Sequence, residues 1–324
     1  MAKDTWERIV SARKSGLFES NYLKANSRDG KRAVWIKHNL MRPLSGEGYG
    51  EFWIVVFERG QEPIVAKREV PWNEVEIDSQ AISIRSGSIS LTAKRARGSL
   101  ADISWDLKLS GALPPLFLLP YSWMYKAGFP KKKALTPAPN LHFKGEISIG
   151  DETWPVDDWV GIRGHNWGEH AFTYAYGNCN LWDDGANRTF DGFTAKLKIG
   201  GRMTPWLSSV IGSEPAVSKN RIRNWFRSGT VDAEHWTLDF PGRERVQLTM
   251  VADRSDYVGL RYGYPDGSEG YCYNTKFADT IWQVGTELFT SKNGELEVFL
   301  PDPLDGVPLH PTPGWKPTDG DYRS

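Results

Sequence analysis

Beyond residue 17 the chain is written in short extended runs. Residues 19–25, 32–42 and 51–59 each gather β-branched and aromatic side chains, and each is ended by Gly, Pro, Asn or Asp. Runs at 64–70, 75–77, 81–85, 88–94 and 98–109 follow, with Ser27-Arg28-Asp29-Gly30 read as a hairpin turn and 85–88 as a tight reversal. Their spacing, roughly eight to twelve residues, predicts an antiparallel meander closing into a barrel. Residues 110–140 break the rhythm: prolines at 114, 115, 120, 130, 137 and 139 alternate with Phe117, Tyr121, Trp123, Tyr125 and Phe129. That stretch is expected to be a long ordered loop serving as lid or mouth. Strands resume at 141–149 and 154–159. After His170 a second meander begins with runs at 172–182, 190–199, 202–211, 230–240, 245–253, 258–264, 270–279 and 280–289, before an irregular proline-rich tail from Pro301.

Two meanders of similar length, with no repeat of 20 to 50 residues, suggest one architecture used twice. The expectation is a mainly antiparallel all-β protein of two barrels, residues 1–172 and 173–324, with a pocket at or near their junction. Residues 4–16 are the exception, since Trp6, Ile9, Val10 and Arg13 fall at helical spacing before Gly16.

Composition agrees with this pattern. Fifteen Trp, twelve Tyr and fourteen Phe suit pleated, half-buried surfaces around large apolar volumes. Forty basic residues balance forty acidic ones, so nucleic acid is not an expected partner. Without an apolar signal core or an uninterrupted apolar window of about eighteen residues, the expected location is cytoplasmic, with no transmembrane segment. Cys179 and Cys272 are too few for a disulfide framework and are read as reduced structural thiols.

The densest chemistry lies at the midpoint, in Asp157-Asp158-Trp159-Val160-Gly161-Ile162-Arg163-Gly164-His165-Asn166-Trp167-Gly168-Glu169-His170. As a strand it turns His165, Trp167 and Glu169 to one face and Asn166 and His170 to the other. Gly161, Gly164 and Gly168 remove side chains where the backbone must approach another strand or a ligand. A zinc site is disfavoured, because 165 and 170 point oppositely on a strand, so no metal is expected. Two readings remain open. His165, Asn166 and Trp167 are buried polar groups satisfying the backbone where the barrels meet, or His165, Glu169 and His170 are acid/base groups beside a pocket walled by Trp167 and other aromatics. Further candidates for that pocket are Asn21, Glu51, Trp53, Trp123, Tyr125, Asn166, Tyr174 and Tyr176. Glu51, beginning its strand, is expected at a solvated end and, if inward, would be a second pocket acid, while His38 fits a satisfied core histidine. With no G-x-S-x-G elbow, P-loop or dinucleotide fingerprint in a suitable setting, any chemistry is expected to be cofactor-free.

Phe18-Glu19-Ser20-Asn21-Tyr22, the Trp35 strand, Glu51-Phe52-Trp53, the proline-aromatic loop, the Trp159–Gly168 motif and Tyr264-Pro265-Asp266-Gly267-Ser268 together resemble the hydroxyneurosporene synthase (carotenoid 1,2-hydratase)/AttH-like group. That resemblance implies two tandem lipocalin-like (calycin) barrels, an architecture shared with tocopherol cyclase and fungal decalin-forming cyclases, and an apolar, often polyene or terpenoid, substrate handled without a cofactor. The carotenoid hydratase pattern flanks its central histidine with acids, in D-H-E-W; here Gly164 and Asn166 take those places, leaving Glu169 as the nearest carboxylate. The function expected is protonation, hydration, isomerisation or cyclisation of an apolar unsaturated small molecule. The alternative is a carrier that binds an apolar metabolite unchanged. Elemental analysis of the purified protein should find substoichiometric zinc; a stoichiometric metal that resists dialysis and supports activity would overturn the reading of the central stretch.

Overall fold

The computed structural model describes residues 15–78, 82–169, 173–199, 201–226, 229–242 and 244–324; the expected helix at 4–16 falls almost entirely outside them, as does His170. The first extended runs form the meander their turns dictate: β1 (Leu17–Asn26), β2 (Arg32–Arg42), β3 (Tyr49–Glu58) and β4 (Ile64–Pro71) pair in succession. Shorter hairpins lead to a strand at Ile103–Ser110, and then to a long hairpin of β5 (Lys132–Ile149) and β6 (Glu152–Gly168). β6 returns beside β1, antiparallel, and β5 lies between it and Ile103–Ser110, giving a curled 13-stranded sheet.

The second sheet is built likewise from β7 (Thr173–Cys179), β8 (Thr189–Lys196), β9 (Leu207–Ser213), β10 (Val258–Gly263), β11 (Glu269–Val284) and β12 (Glu287–Leu300). Its order is β9-β8-β7-β12-β11, continuing into three further strands, with β10 paired to β11, for 11 strands in all. No helix among the described residues is long and apolar enough to cross a membrane.

Both faces of β1, β2 and β3 are covered. Leu23, Val34, Ile36, Leu40, Phe52 and Ile54 point into the curl of the first sheet, against Leu107, Phe143 and Trp159. Alternate residues Ala33, Trp35, Trp53, Val55 and Phe57 point the other way and pack on Val258, Leu260, Tyr262, Phe277 and Phe299 of the second sheet. A strand buried on two sides reads as a near-continuous apolar run, as Trp35-Ile36 and Phe52-Trp53-Ile54-Val55-Val56-Phe57 do. The interface is also polar at its centre. Lys24 of β1, fully buried, donates to Asn178 Oδ1 at 3.2 Å and to Asn180 Oδ1 at 3.4 Å, while Lys276 reaches Glu295 Oε1 at 2.5 Å.

Several expectations need adjustment. The run at 98–109 is a hairpin, Arg95–Leu100 with Ile103–Ser110, turned at Ala101 with φ +49°. The 110–140 stretch is only partly loop, because β5 starts at Lys132; Pro137 and Pro139 sit where its register against β6 shifts, the place where a strand tolerates residues that cannot donate. The run at 270–279 and the first half of that at 280–289 are one strand, β11; the second half crosses the turn at Gly285 into β12, most of which the pattern missed. The tail holds two short strands. Leu309–His310 pairs parallel to β10, and Tyr322–Arg323 crosses back to pair with β4 of the first sheet. Asp321 clasps Arg68 there through two 2.6 Å hydrogen bonds.

The glycines of the central stretch are spaced for contact, as expected. A Cβ at Gly161 would fall on the Lys24 carbonyl of the paired β1 backbone, and one at Gly164 on the ring of Tyr22. Gly161→Ala should therefore force β1 and β6 apart and cost at least about 4 kcal/mol, at the severe end for point substitutions. Urea unfolding measures it; a loss under about 1 kcal/mol would mean the pairing is looser than described.

Candidate functional site

A cavity of about 150 Å³ lies between the two sheets and is partly open to solvent. β1, β2, β5 and β6 give one wall, through Phe18, Tyr22, Trp35, Met41, Ala134 and Asn166. β7, β8 and β10 give the other, through Tyr174, Tyr176, Phe193, Ala195 and Tyr262, and Leu118 and Leu119 of the proline-rich loop close one side. The wall residues of β1 and β2 belong to the faces turned away from the first sheet's core, so the pocket is a place where inter-sheet packing stops short.

Ionisable groups enter this apolar space in three sets. Glu51 and Glu297 are carboxylates whose oxygens are already engaged. Lys67 meets Glu51 Oε1 at 2.6 Å and Asn39 Nδ2 donates to Oε2 at 2.7 Å. Burial alone would raise the Glu51 carboxyl, but Lys67 and Asn39 hold it below the ordinary carboxylate range. Tyr174 donates to Glu297 Oε1, and Asn274 donates to Oε2 at 2.9 Å.

The second set is a pair of lysines. Lys37 lies with its ammonium 3.9 Å from the Tyr262 ring centroid and 5.2 Å from that of Trp35. Lys132 donates to Asn166 Oδ1 at 2.8 Å and stands 4.0 Å over the Phe18 ring. Loss of hydration lowers both ammoniums, Lys132 to about 7.

The third set is a relay. Tyr22 and Tyr176, one from each sheet, face the pocket with their hydroxyls 3.0 Å apart. Behind Tyr176, within electrostatic reach of it, lies the buried Asp191 of β8, whose Oδ2 accepts a hydrogen bond from Thr136. Burial pushes the Asp191 carboxyl up to about 7, and burial also keeps both tyrosines protonated far above neutrality. Across neutrality this set donates a proton more readily than it accepts one.

The structure divides the central stretch as alternation requires, and this decides which residues meet the pocket. Asn166 faces it. His165 and Trp167 face the interior of the first sheet, where His165 Nε2 lies 2.8 Å from Glu19 Oε1 and its ring lies on Trp167 with centroids 4.6 Å apart. Asn21 shares that interior row, directly between His165 and His38 in the strand register. Glu169 is half exposed and pairs with Lys131 at 2.7 Å. Glu51 is inward, not at a solvated end, and Trp53 is buried in the inter-sheet packing edge-on to Tyr262. Trp123 is exposed and stacks on Tyr121, so it forms no part of the pocket wall. Tyr125 is buried nearby against Trp167, its hydroxyl donating to the Ala134 carbonyl. Tyr174 and Tyr176 line the cavity.

Sequence reasoning missed Asp191, Lys37 and Lys132. Asp191 sits in an ordinary-looking strand with no motif. Trp35 and Met41, which share the Lys37 face of β2, were a usable signal that this face is covered.

Among known proteins, no family model matches the chain. The uncharacterized protein Rv0493c of Mycobacterium tuberculosis is 24% identical over 277 residues, 79% of this chain and 77% of that one. Of solved structures, a provisionally assigned AttH from Nitrosomonas europaea superposes with a TM-score of 0.55 at 11% identity, over 88% of this chain and 92% of its own. Kievitone hydratase from Nectria haematococca gives 0.52 at 8% identity, over 92% and 94%. CghA with Sch210972 gives 0.56 at 10%, over 88% of each chain. These are likenesses of fold, and they bear out the two lipocalin-like barrels and the AttH-like resemblance read from the sequence.

The relay makes a stability prediction. With a folded pKa of about 7 against an ordinary 3.8, Asp191 fits the fold as the neutral acid. Its contribution is fully present at low pH and is lost as pH rises from the ordinary carboxylate range through about 7. Asp191→Asn, which cannot ionise, should gain melting temperature relative to the parent between about pH 4 and pH 8, with no further gain above. A difference independent of pH would mean that Asp191 is ionised at little cost.

Proposed function

On a tandem lipocalin-like fold of the AttH-like kind, we propose that this protein is a cofactor-independent acid/base enzyme that protonates an unsaturated small molecule held between its two barrels, leading to hydration, isomerisation or cyclisation. The observation that carries the reading is the Tyr22–Tyr176 hydroxyl pair, with the buried Asp191 carboxyl behind it, facing an aromatic-lined pocket. Asp191 holds the proton, Tyr176 and Tyr22 present it at the wall, and rings such as Phe18 and Trp35 exclude water and face any positive charge that develops on carbon. The two tyrosines cannot act as bases near neutrality, because burial keeps them protonated.

Two neighbours in fold give the reading context: one is by name a hydratase of kievitone, and CghA was solved with the small molecule Sch210972. The acid/base role moves in this proposal from His165 and Glu169, which turn away from the pocket wall, to Asp191. The apolar lining keeps the expected substrate largely apolar.

The test begins with the purified protein. Native mass spectrometry of protein exposed to a metabolite extract captures the ligand, and incubation of that compound reports turnover. Asp191→Asn should bind it within about threefold of the parent while turnover falls about 10²–10⁴-fold, and Tyr176→Phe should change in the same direction. Parent turnover should decline as pH rises through about 7, as Asp191 loses the proton it delivers. Undiminished turnover in Asp191→Asn would remove the relay from the mechanism. A captured compound returned unchanged by the parent protein would make it a carrier.

A further inference from the structure

The pocket's two carboxylates and its two lysines are in opposite states. Each oxygen of Glu51 and of Glu297 already accepts a bond from a protein donor. Lys37, buried, donates no hydrogen bond to and forms no ion pair with any described residue, and meets only the faces of Tyr262 and Trp35. Lys132 has a single neutral partner, the amide oxygen of Asn166. Between them runs one row of the pocket-side face, Asn39, Ser20 and Asn166 in direct register across β2, β1 and β6. The Ser20 hydroxyl on that row is buried and has no partner. Two ammonium groups withdrawn from water with no carboxylate in contact, Glu297 and Glu51 acting on them only through space, are costly, and the strongest compensation is a charge-assisted bond to an anionic oxygen.

We propose that the pocket takes an apolar molecule bearing an anionic oxygen group of the carboxylate type, with that head bound by Lys37 and Lys132 over the Asn39-Ser20-Asn166 row and the apolar body lying among the aromatic walls. This rests on the inter-barrel cavity being the ligand site and adds to it the class of ligand. It also orients the ligand: the head is fixed on the first sheet, while the second sheet presents Tyr176 and, behind it, Asp191.

The probes are a neutral fluorophore, N-phenyl-1-naphthylamine, and two competitors of equal chain length, dodecanoic acid and 1-dodecanol. The acid should displace the fluorophore from the full-length protein at a concentration about tenfold or more below that of the alcohol. In Lys37→Met/Lys132→Met the two should fall within about twofold of each other while the fluorophore still binds, and Lys37→Arg/Lys132→Arg should keep the advantage of the acid. Lys132→Gln alone, at a half-buried position, should lose most of that advantage and serves if the double Met variant does not fold. Equal displacement by acid and alcohol in the parent, or an advantage that survives loss of both lysines, overturns the assignment of the head group. Failure of the parent to bind the fluorophore or either competitor overturns the inter-barrel ligand site itself, and the two failures are thereby distinguished.

Discussion

The structure depends on strands that have no solvent face. β1, β2 and β3 are sandwiched between the core of their own sheet and the packing surface of the second, so successive residues enter two different buried environments. Polar residues on them are costly unless they find a partner within the protein. Lys24 finds Asn178 and Asn180 across the interface; Glu51 finds Lys67 and Asn39. The pocket lies on the same surface, where large apolar side chains no longer meet and polar ones are left facing a cavity. The cavity and the cohesion between the barrels are thus two outcomes of one buried surface.

This constraint explains why the fold was easier to read than the site. Extended runs punctuated by Gly, Asn and Asp give strands whatever they pack against, and most were recognisable. Where they were not, a backbone event intervened: Pro137 and Pro139 disguised the start of β5 by sitting at register shifts, and apolar residues on both sides of Gly285 joined two strands into one apparent run. The site was legible only as far as alternation carries. The period of two separates His165 from Asn166, but nothing local says which side faces the ligand when both are buried. Reactive types drew attention to His165, whereas the ionisable groups at the cavity wall and just behind it, Lys37 and Asp191, are plain strand residues whose setting comes from the other sheet.

The work of the pocket is shared between the sheets. Lys37, Lys132 and Tyr22 come from the first, Tyr176 and Asp191 from the second, and the hydroxyl pair Tyr22–Tyr176 spans the seam. Gly164 has a part in this, since its missing side chain leaves the space in which the Tyr22 ring lies. A shift between the barrels would separate the hydroxyl pair and disturb the geometry around a ligand at once.

The crossing of Tyr322–Arg323 to the edge of β4 bears on how such a protein can change over evolutionary time. Strands at a sheet edge carry unpaired backbone groups, and here the cover for the first sheet's edge is encoded downstream of the entire second sheet. Recombination at the junction of the two meanders would bring in a foreign cover along with a foreign pocket wall. The halves look like interchangeable modules in sequence, yet inheritance has to treat them as one.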